Sequence, residues 1–348
     1  MKSGRALLAA VFVLLAWVSG ASAQRSYFAE LSTTGVATDP AGNIYAVADA
    51  VSAQYLVKLN TAGQIINAAQ LPNSGFFDIA SYSLAFDPVI NALWALRRDG
   101  SILLLNPENL QGSVIFNVRS LPTDATAIYD VATGTIGPNG NVIPASSSYG
   151  DVAVVWRGET LDLLVSGLSV NNPFITRIRF VQSGQAFQGA KVLASTTAPS
   201  APAPGTYQCY DPTQFDTCGT GGNLPRGVAA TPQGAVVTTL PISGRGESVY
   251  IFSVDFPEIG AAFPTPILSG VMSYGMTFDN ANSIHIVGQT AVCGGDPSSL
   301  LMMTPAGVRC IPGGDLYGTA FDVAVSPGAD VAYTGHPGIG MFAWRLAP

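Results

Sequence analysis

The chain has 348 residues, with 15 Lys and Arg against 22 Asp and Glu, for a formal net charge of −7. Charged residues make up only 11% and hydrophobic ones 48%, with 38 Gly and 24 Pro. This composition excludes a disordered chain, which needs low hydrophobicity and high charge. It also excludes a coiled coil, which needs charge at heptad spacing, and a basic nucleic-acid binder.

Residues 1–23 read as a secretory signal peptide. Lys2 and Arg5 precede an apolar run of 13 residues, Ala6 to Val18, and Ala21-Ser22-Ala23 offers a cleavage site. The run is short for a membrane span, which needs about 20 residues. No Cys follows it to carry a lipid anchor. The expected mature chain, 24–348, has 325 residues with 13 positive and 22 negative charges, a net −9. It reads as a single domain without a membrane span, periplasmic or extracellular. No Asn-x-Ser/Thr sequon occurs, which favours a bacterial exported protein.

A repeat begins at once. Gly35-Val36-Ala37-Thr38-Asp39-Pro40-Ala41-Gly42-Asn43-Ile44-Tyr45 is an apolar strand, a tight turn and a second strand. It returns at Ser83 to Pro88 with Ala92 to Trp94, and at Gly227 to Gly234 with Val236 and Val237. Further copies are Gly275 to Asp279 with Ser283 to Ile286, and Val323 to Gly328 with Val331 to Tyr333. Asp151 to Val155 with Leu161 to Leu164 is a copy without the Asp-Pro turn. The second residues of the first strands are 36, 84, 152, 228, 276 and 323, spaced by 48, 68, 76, 48 and 47.

A period somewhat above forty residues with about four strands per unit predicts a β-propeller, here all-β and six-bladed. The two long intervals imply inserted loops at about 121–149 and 196–225. Later strands repeat too: Thr61-Ala62-Gly63 and Pro305-Ala306-Gly307 turn at the same point of the first and fifth units. The sixth unit is one strand short. Ser26 to Ser32 is the natural donor, which would close the ring and remove an open sheet edge.

The four cysteines lie in the exported part, where disulfides persist. Cys209 with Cys218 and Cys293 with Cys310 is the local pairing, each pair bracketing a turn-rich stretch. A zinc site competes less well, since no C-x-x-C occurs and neither His is near the first pair.

The Gly35 to Tyr45 stretch resembles NHL-repeat propellers. It is also similar to the wider six-bladed group that includes gluconolactonase-like and strictosidine-synthase-like proteins. The resemblance spans nearly all of 26–348 and is tightest in the first, second and fifth units. It implies the fold. Function does not follow from it, because propellers host many activities.

Asp39, Asp87 and Asp279 occupy the same turn in successive units, so an Asx-type turn explains them better than convergence on a metal. The residue before each first strand should lie near the axis on the loop-rich face. The aligned positions are Thr34, Tyr82, Tyr149, Arg226, Tyr274 and Phe321, the third needing a one-residue slip from Gly150. Tyr82, Tyr149 and Tyr274 with Arg226 would either ring a ligand mouth or plug the channel and pack between blades. The resemblance to gluconolactonase-like proteins implies a divalent cation held by Glu, Asn and Asp around this mouth. These positions carry no such side chains, so no cofactor is expected. The alternative is Ca²⁺ or another divalent metal assembled by the inserts through Asp124, Asp130 and Asp211.

The ends of the second strands, on the same face, supply Asp49, Arg97, Ser166, Pro241, Gln289 and His336. Asp49 and His336 fall in adjacent units and could form an acid–base pair or a solvated rim. His285 aligns with Tyr45 and is expected to pack. No nucleophile elbow or P-loop occurs. The leading expectation is an exported, monomeric, non-catalytic propeller that binds a small molecule or protein through its loop-rich face. The alternatives are a divergent lactonase-type hydrolase and a structural surface protein.

Overall fold

The computed structural model describes residues 25–50, 53–72, 82–121, 128–130, 135–137, 148–169, 172–181, 186–195, 226–242, 246–256, 264–294, 299–313 and 320–346. They form a six-bladed β-propeller of six sheets. The signal peptide reading, Cys209, Cys218 and most of the two inserts lie outside these residues.

The first strand is β1 (Arg25–Ala29). Blade 1 is β2 (Thr33–Thr38), β3 (Ile44–Ala50), β4 (Ala53–Leu59) and β5 (Ile65–Gln70). Blade 2 is β6 (Tyr82–Asp87), β7 (Ala92–Arg97), β8 (Ser101–Leu105) and β9 (Gly112–Asn117). Two short strands follow, β10 (Ile128–Asp130) and β11 (Thr135–Gly137). Blade 3 continues with β12 (Ser148–Arg157), β13 (Thr160–Ser169), β14 (Asn172–Val181) and β15 (Ala186–Ser195). Blade 4 is β16 (Val228–Ala230), β17 (Ala235–Ile242), β18 (Gly246–Ser253) and β19 (Leu268–Ser269). Blade 5 is β20 (Val271–Phe278), β21 (Ile284–Thr290), β22 (Leu300–Thr304) and β23 (Gly307–Ile311). Blade 6 is β24 (Asp322–Val325), β25 (Val331–His336) and β26 (Gly340–Arg345).

Strands within a blade are antiparallel and sequential from the axis outward. Blade 3 departs from four strands: β10 joins β15 in parallel, Tyr129 opposite Ala194, and β11 pairs with β10. The first insert thus adds two strands to the rim of that blade. In the sheet of blade 6, β1 runs antiparallel to β26, with Arg25 opposite Trp344 and Tyr27 opposite Phe342.

Six hydrophobic clusters hold the ring, one between each neighbouring pair of blades. Strand alternation makes this arrangement, because successive side chains point to opposite faces of a sheet. In β7, Leu93 and Ala95 face blade 1 while Trp94 and Leu96 face blade 3. Low charge and high apolar content follow, since both faces of every blade are covered.

The repeated turns are self-capped. Asp39 accepts hydrogen bonds from the Asn43 N–H at 2.8 Å, Asn43 Nδ2 at 2.7 Å and the Tyr45 hydroxyl at 2.9 Å. Asp279 accepts from the Ala281 and Ser283 N–H groups, both at 2.8 Å, and pairs with His285 Nε2 at 2.9 Å. The carboxylates cap their own turns, and Tyr45, Trp94 and His285 each reach back to the turn of their own blade. His285 is fully buried, as its alignment with Tyr45 predicts. Burial lowers its pKa, against the raising effect of Asp279.

A disulfide joins Cys293 to Cys310. Among the described residues no helix is long and apolar enough to cross a membrane. Both observations are consistent with an exported protein.

Candidate functional site

The innermost strands converge on the axis, and two carboxylates meet them there. Asp151, in β12, and Asp322, at the start of β24, belong to blades three apart in a ring of six. Asp151 accepts from the N–H of Val152 at 2.9 Å, the N–H of Val228 at 2.8 Å and the Ser83 hydroxyl at 2.6 Å. It also accepts from the Met276 N–H. Asp322 accepts from the N–H of Val323 at 2.8 Å and of Val36 at 2.9 Å, and from that of Leu84. The six N–H donors come one from each blade, at residues 36, 84, 152, 228, 276 and 323. The free edges of six strands would otherwise point unpaired donors into the hub.

Bulges aim these groups. The pairing of β2 with β3 slips between Thr33 and Gly35, that of β12 with β13 between Tyr149 and Val152, and that of β20 with β21 between Ser273 and Gly275. One extra residue at each place re-aims the side chains that follow. Both carboxylates are buried, and burial raises both pKa values. Asp151 is pushed up to about 7 in spite of four hydrogen bonds that pull it down. Asp322 is raised well above the usual carboxylate range, first by burial and then by the charge of Asp151.

The pair forms the floor of a cavity of about 370 Å³ that opens between the turns joining the first two strands of the blades. Pro40, Pro88, Pro232 and Pro327 stand around the mouth, with Asn280 and Asn282 beside them. The walls are the inner strands, and the lining carries Asp but no Lys, Arg or His. A divalent cation does not fit the floor, because six N–H hydrogens already point at the carboxylate oxygens. Among the described residues no group of three His, Cys, Asp or Glu is placed to hold a metal.

The four residues marked for the loop-rich face sit behind the pair, and all are buried. Tyr149 packs edge-on against Phe174 at 6.2 Å. Tyr274 stacks on Phe321 at 5.6 Å. Arg226 is bidentate to Glu247, with Nε to Oε2 at 3.0 Å. Tyr82 packs in the cluster between blades 1 and 2, and its buried hydroxyl has no hydrogen-bond partner among the described residues. Asp49 accepts from Gln54 Nε2 at 2.6 Å and from the Ser32 hydroxyl at 3.4 Å, and burial raises its pKa. Arg97 lies 3.7 Å from Asp99. His336 is fully buried, with Nε2 2.9 Å from the Thr334 hydroxyl and its ring edge-on to Phe342. Asp124, Asp211 and the Asp130 side chain lie outside the described residues.

Sequence reasoning passed over Asp151 and Asp322 by one position. The column just before the counted residues reads Gly35, Ser83, Asp151, Gly227, Gly275 and Asp322. Its two acids were visible in the aligned repeats. The burial and the ring of donors that single them out were not.

No protein-family model matches the chain, and no curated protein matches it in sequence. Solved structures do match in shape. One is that of U3-55K, at 10% identity and TM-score 0.51, covering 93% of this chain and 99% of that one. Another is a gluconolactonase from Xanthomonas campestris, at 11% identity and TM-score 0.51, covering 92% of this chain and 88% of that one. At these identities the likeness shows the fold alone.

Proposed function

We propose that the protein is an exported, monomeric propeller that binds a small ligand in the axial cavity at its turn end and performs no chemistry on it. The saturation of Asp151 and Asp322 by seven internal hydrogen bonds supports this reading. A metal ligand needs lone pairs clear of hydrogen-bond donors, and seven donors already point at these oxygens. The cavity itself suits a small molecule in size, and its walls mix apolar strand residues with carboxylates and the Asn280 and Asn282 amides.

The test is a thermal-shift screen of small molecules on the wild type and on Asn280→Trp, which puts a bulky side chain at the mouth. Compounds that raise the wild-type melting temperature are expected to lose that effect in the variant. Hits equally effective on both would place binding elsewhere. The Tyr82 hydroxyl, without a hydrogen-bond partner among the described residues, favours a second reading, in which a ligand or protein docks on the loop-rich face near Tyr82, Tyr149, Arg226 and Tyr274. Tyr82→Phe would then weaken binding while Asn280→Trp would not. The hydrolase alternative predicts stoichiometric Ca²⁺ or another divalent metal, lost together with a hydrolytic activity. Metal analysis of the purified protein with lactone substrates decides against the binding-only reading if both are found.

A further inference from the structure

The axial pair touches every blade. Asp151 gathers N–H groups from blades 3, 4 and 5 and the Ser83 hydroxyl from blade 2. Asp322 gathers those of blades 6, 1 and 2. Nothing else in the described hub links all six innermost strands. Two carboxylates buried in one site do not both ionise freely, because each charge is desolvated and repelled by the other.

We propose that Asp151 and Asp322 form a proton-binding clasp at the hub, so that the ring is tightest with the pair protonated and loosens as the pair loses its proton. The direction is set by the burial of both carboxyls, which outweighs the hydrogen bonds that favour their ionised forms. Loss of the proton places a second negative charge among strands that cannot separate to admit water.

The surroundings offer little compensation. From β6 the titratable neighbours are Tyr82 and, at the turn end, Asp87. From β12 there are Tyr149 and, at the turn end, Arg157, paired with Asp255 and Asp162, and from β16 its preceding residue Arg226, already paired with Glu247. From β20 come Tyr274 and the turn residue Asp279. The strand β2 brings only the turn residue Asp39, and β24 adds nothing beyond Asp322 itself. The turn carboxylates are hydrogen-bonded within their own blades or to a neighbouring blade, and they deepen the negative field.

The sign is that of a group whose folded pKa lies above its unfolded value. Its stabilisation is complete below the unfolded value near 4 and is lost as pH rises through the folded value. For Asp151, at about 7, the folding equilibrium constant should fall on the order of a hundredfold between pH 5 and pH 8. Urea unfolding of the mature chain across that range measures it. Asp322→Asn removes the second buried carboxyl and its share of the slope, while the share that burial of Asp151 causes should persist. Ser83→Ala removes a donor to the ionised Asp151 and should move the midpoint to higher pH.

Calorimetry of the wild type in buffers of different ionisation enthalpy tests the clasp without any variant. Unfolding near pH 6 should release about one proton. Wild-type stability that is flat or rising from pH 5 to pH 8, no proton release, an Asp322→Asn slope equal to the wild type, or an unmoved Ser83→Ala midpoint would each overturn the clasp.

Discussion

Asp87 offers the sharpest test of what the repeated turn acids do. Its side chain is fully buried and accepts from the N–H groups of Val89 at 3.0 Å and Ile90 at 3.3 Å. Trp94 Nε1 reaches it at 3.0 Å from within blade 2, and Trp156 Nε1 at 2.9 Å from blade 3. The carboxylate therefore caps its turn and ties two blades together. Asp87→Ala leaves two indole N–H groups without their acceptor; that of Trp94 is buried, where an unsatisfied donor costs about 1–3 kcal/mol, and that of Trp156 is partly buried and costs less. Water can reach the partly buried turn N–H groups, so they add little. The expected loss is about 1–4 kcal/mol.

Guanidinium unfolding followed by tryptophan fluorescence measures it directly. Beyond residue 23 the sequence has only Trp94, Trp156 and Trp344, and two of the three report on this site. Trp156→Phe should cost less in the Asp87→Ala background than in the wild type, by about 1 kcal/mol, because the bond can be lost only once. Strict additivity, or a loss below about 1 kcal/mol, would refute the tie. A metal-ligand role makes a different demand: chelation of the wild type would reproduce the loss, and a structural tie is indifferent to chelator.

Deleting Ser26 to Ser32 should cost at least about 3 kcal/mol, since Tyr27 packs on Phe342 at 5.3 Å and Phe28 on Tyr333 at 5.0 Å. A truncated chain as stable as the full one would show that β1 does not close the ring. Intact mass should report two disulfides. Replacing Cys293 and Cys310 by Ser should cost about 3 kcal/mol, in line with a loop of 17 residues, and an unchanged unfolding midpoint would contradict it. At acid pH a third group acts. Burial raises Asp255, but Arg157 and Arg179 outweigh it and hold the carboxyl at about 2. That stabilisation is present above pH 4 and lost as pH falls toward 2, and Arg179→Ala should weaken the acid dependence in a pH titration of stability.

The fold was legible because blades repeat at short range. Spacings of 48, 48 and 47 residues, with the same turn at 61–63 and 305–307, need no tertiary information. The site was less so. The one-residue slip that aligned Tyr149 instead of Gly150 has no counterpart in the backbone, since the bulge between Tyr149 and Val152 recurs between Thr33 and Gly35 and between Ser273 and Gly275, where no slip was needed. The signal for the site was instead the pair of acids, Asp151 and Asp322, in a column otherwise made of Gly and Ser. Other features join residues far apart in sequence. Arg157 meets Asp255 across 98 residues, and no local pattern announces that pair. The two strands in the first insert were equally hidden, because three-residue strands carry too little alternation to read.

The hub column explains why only two blades carry acids. A β-carbon on Gly35 would lie 2.4 Å from the Tyr82 carbonyl oxygen. One on Gly275 would lie 2.6 Å from Asp322 Cα, and one on Gly227 would lie 2.7 Å from Met276 Cγ. Three of the six positions therefore have no room for a side chain, and Ser83 fills a fourth with a donor. Two carboxylates present about eight lone-pair positions. Four donors on Asp151 and three on Asp322 nearly exhaust them. With no acid, six N–H groups would stand unpaired at the axis; with a third, the added charge would find no donor. A pair set across the ring satisfies both limits, at the cost of burying two carboxyls whose pKa values burial raises.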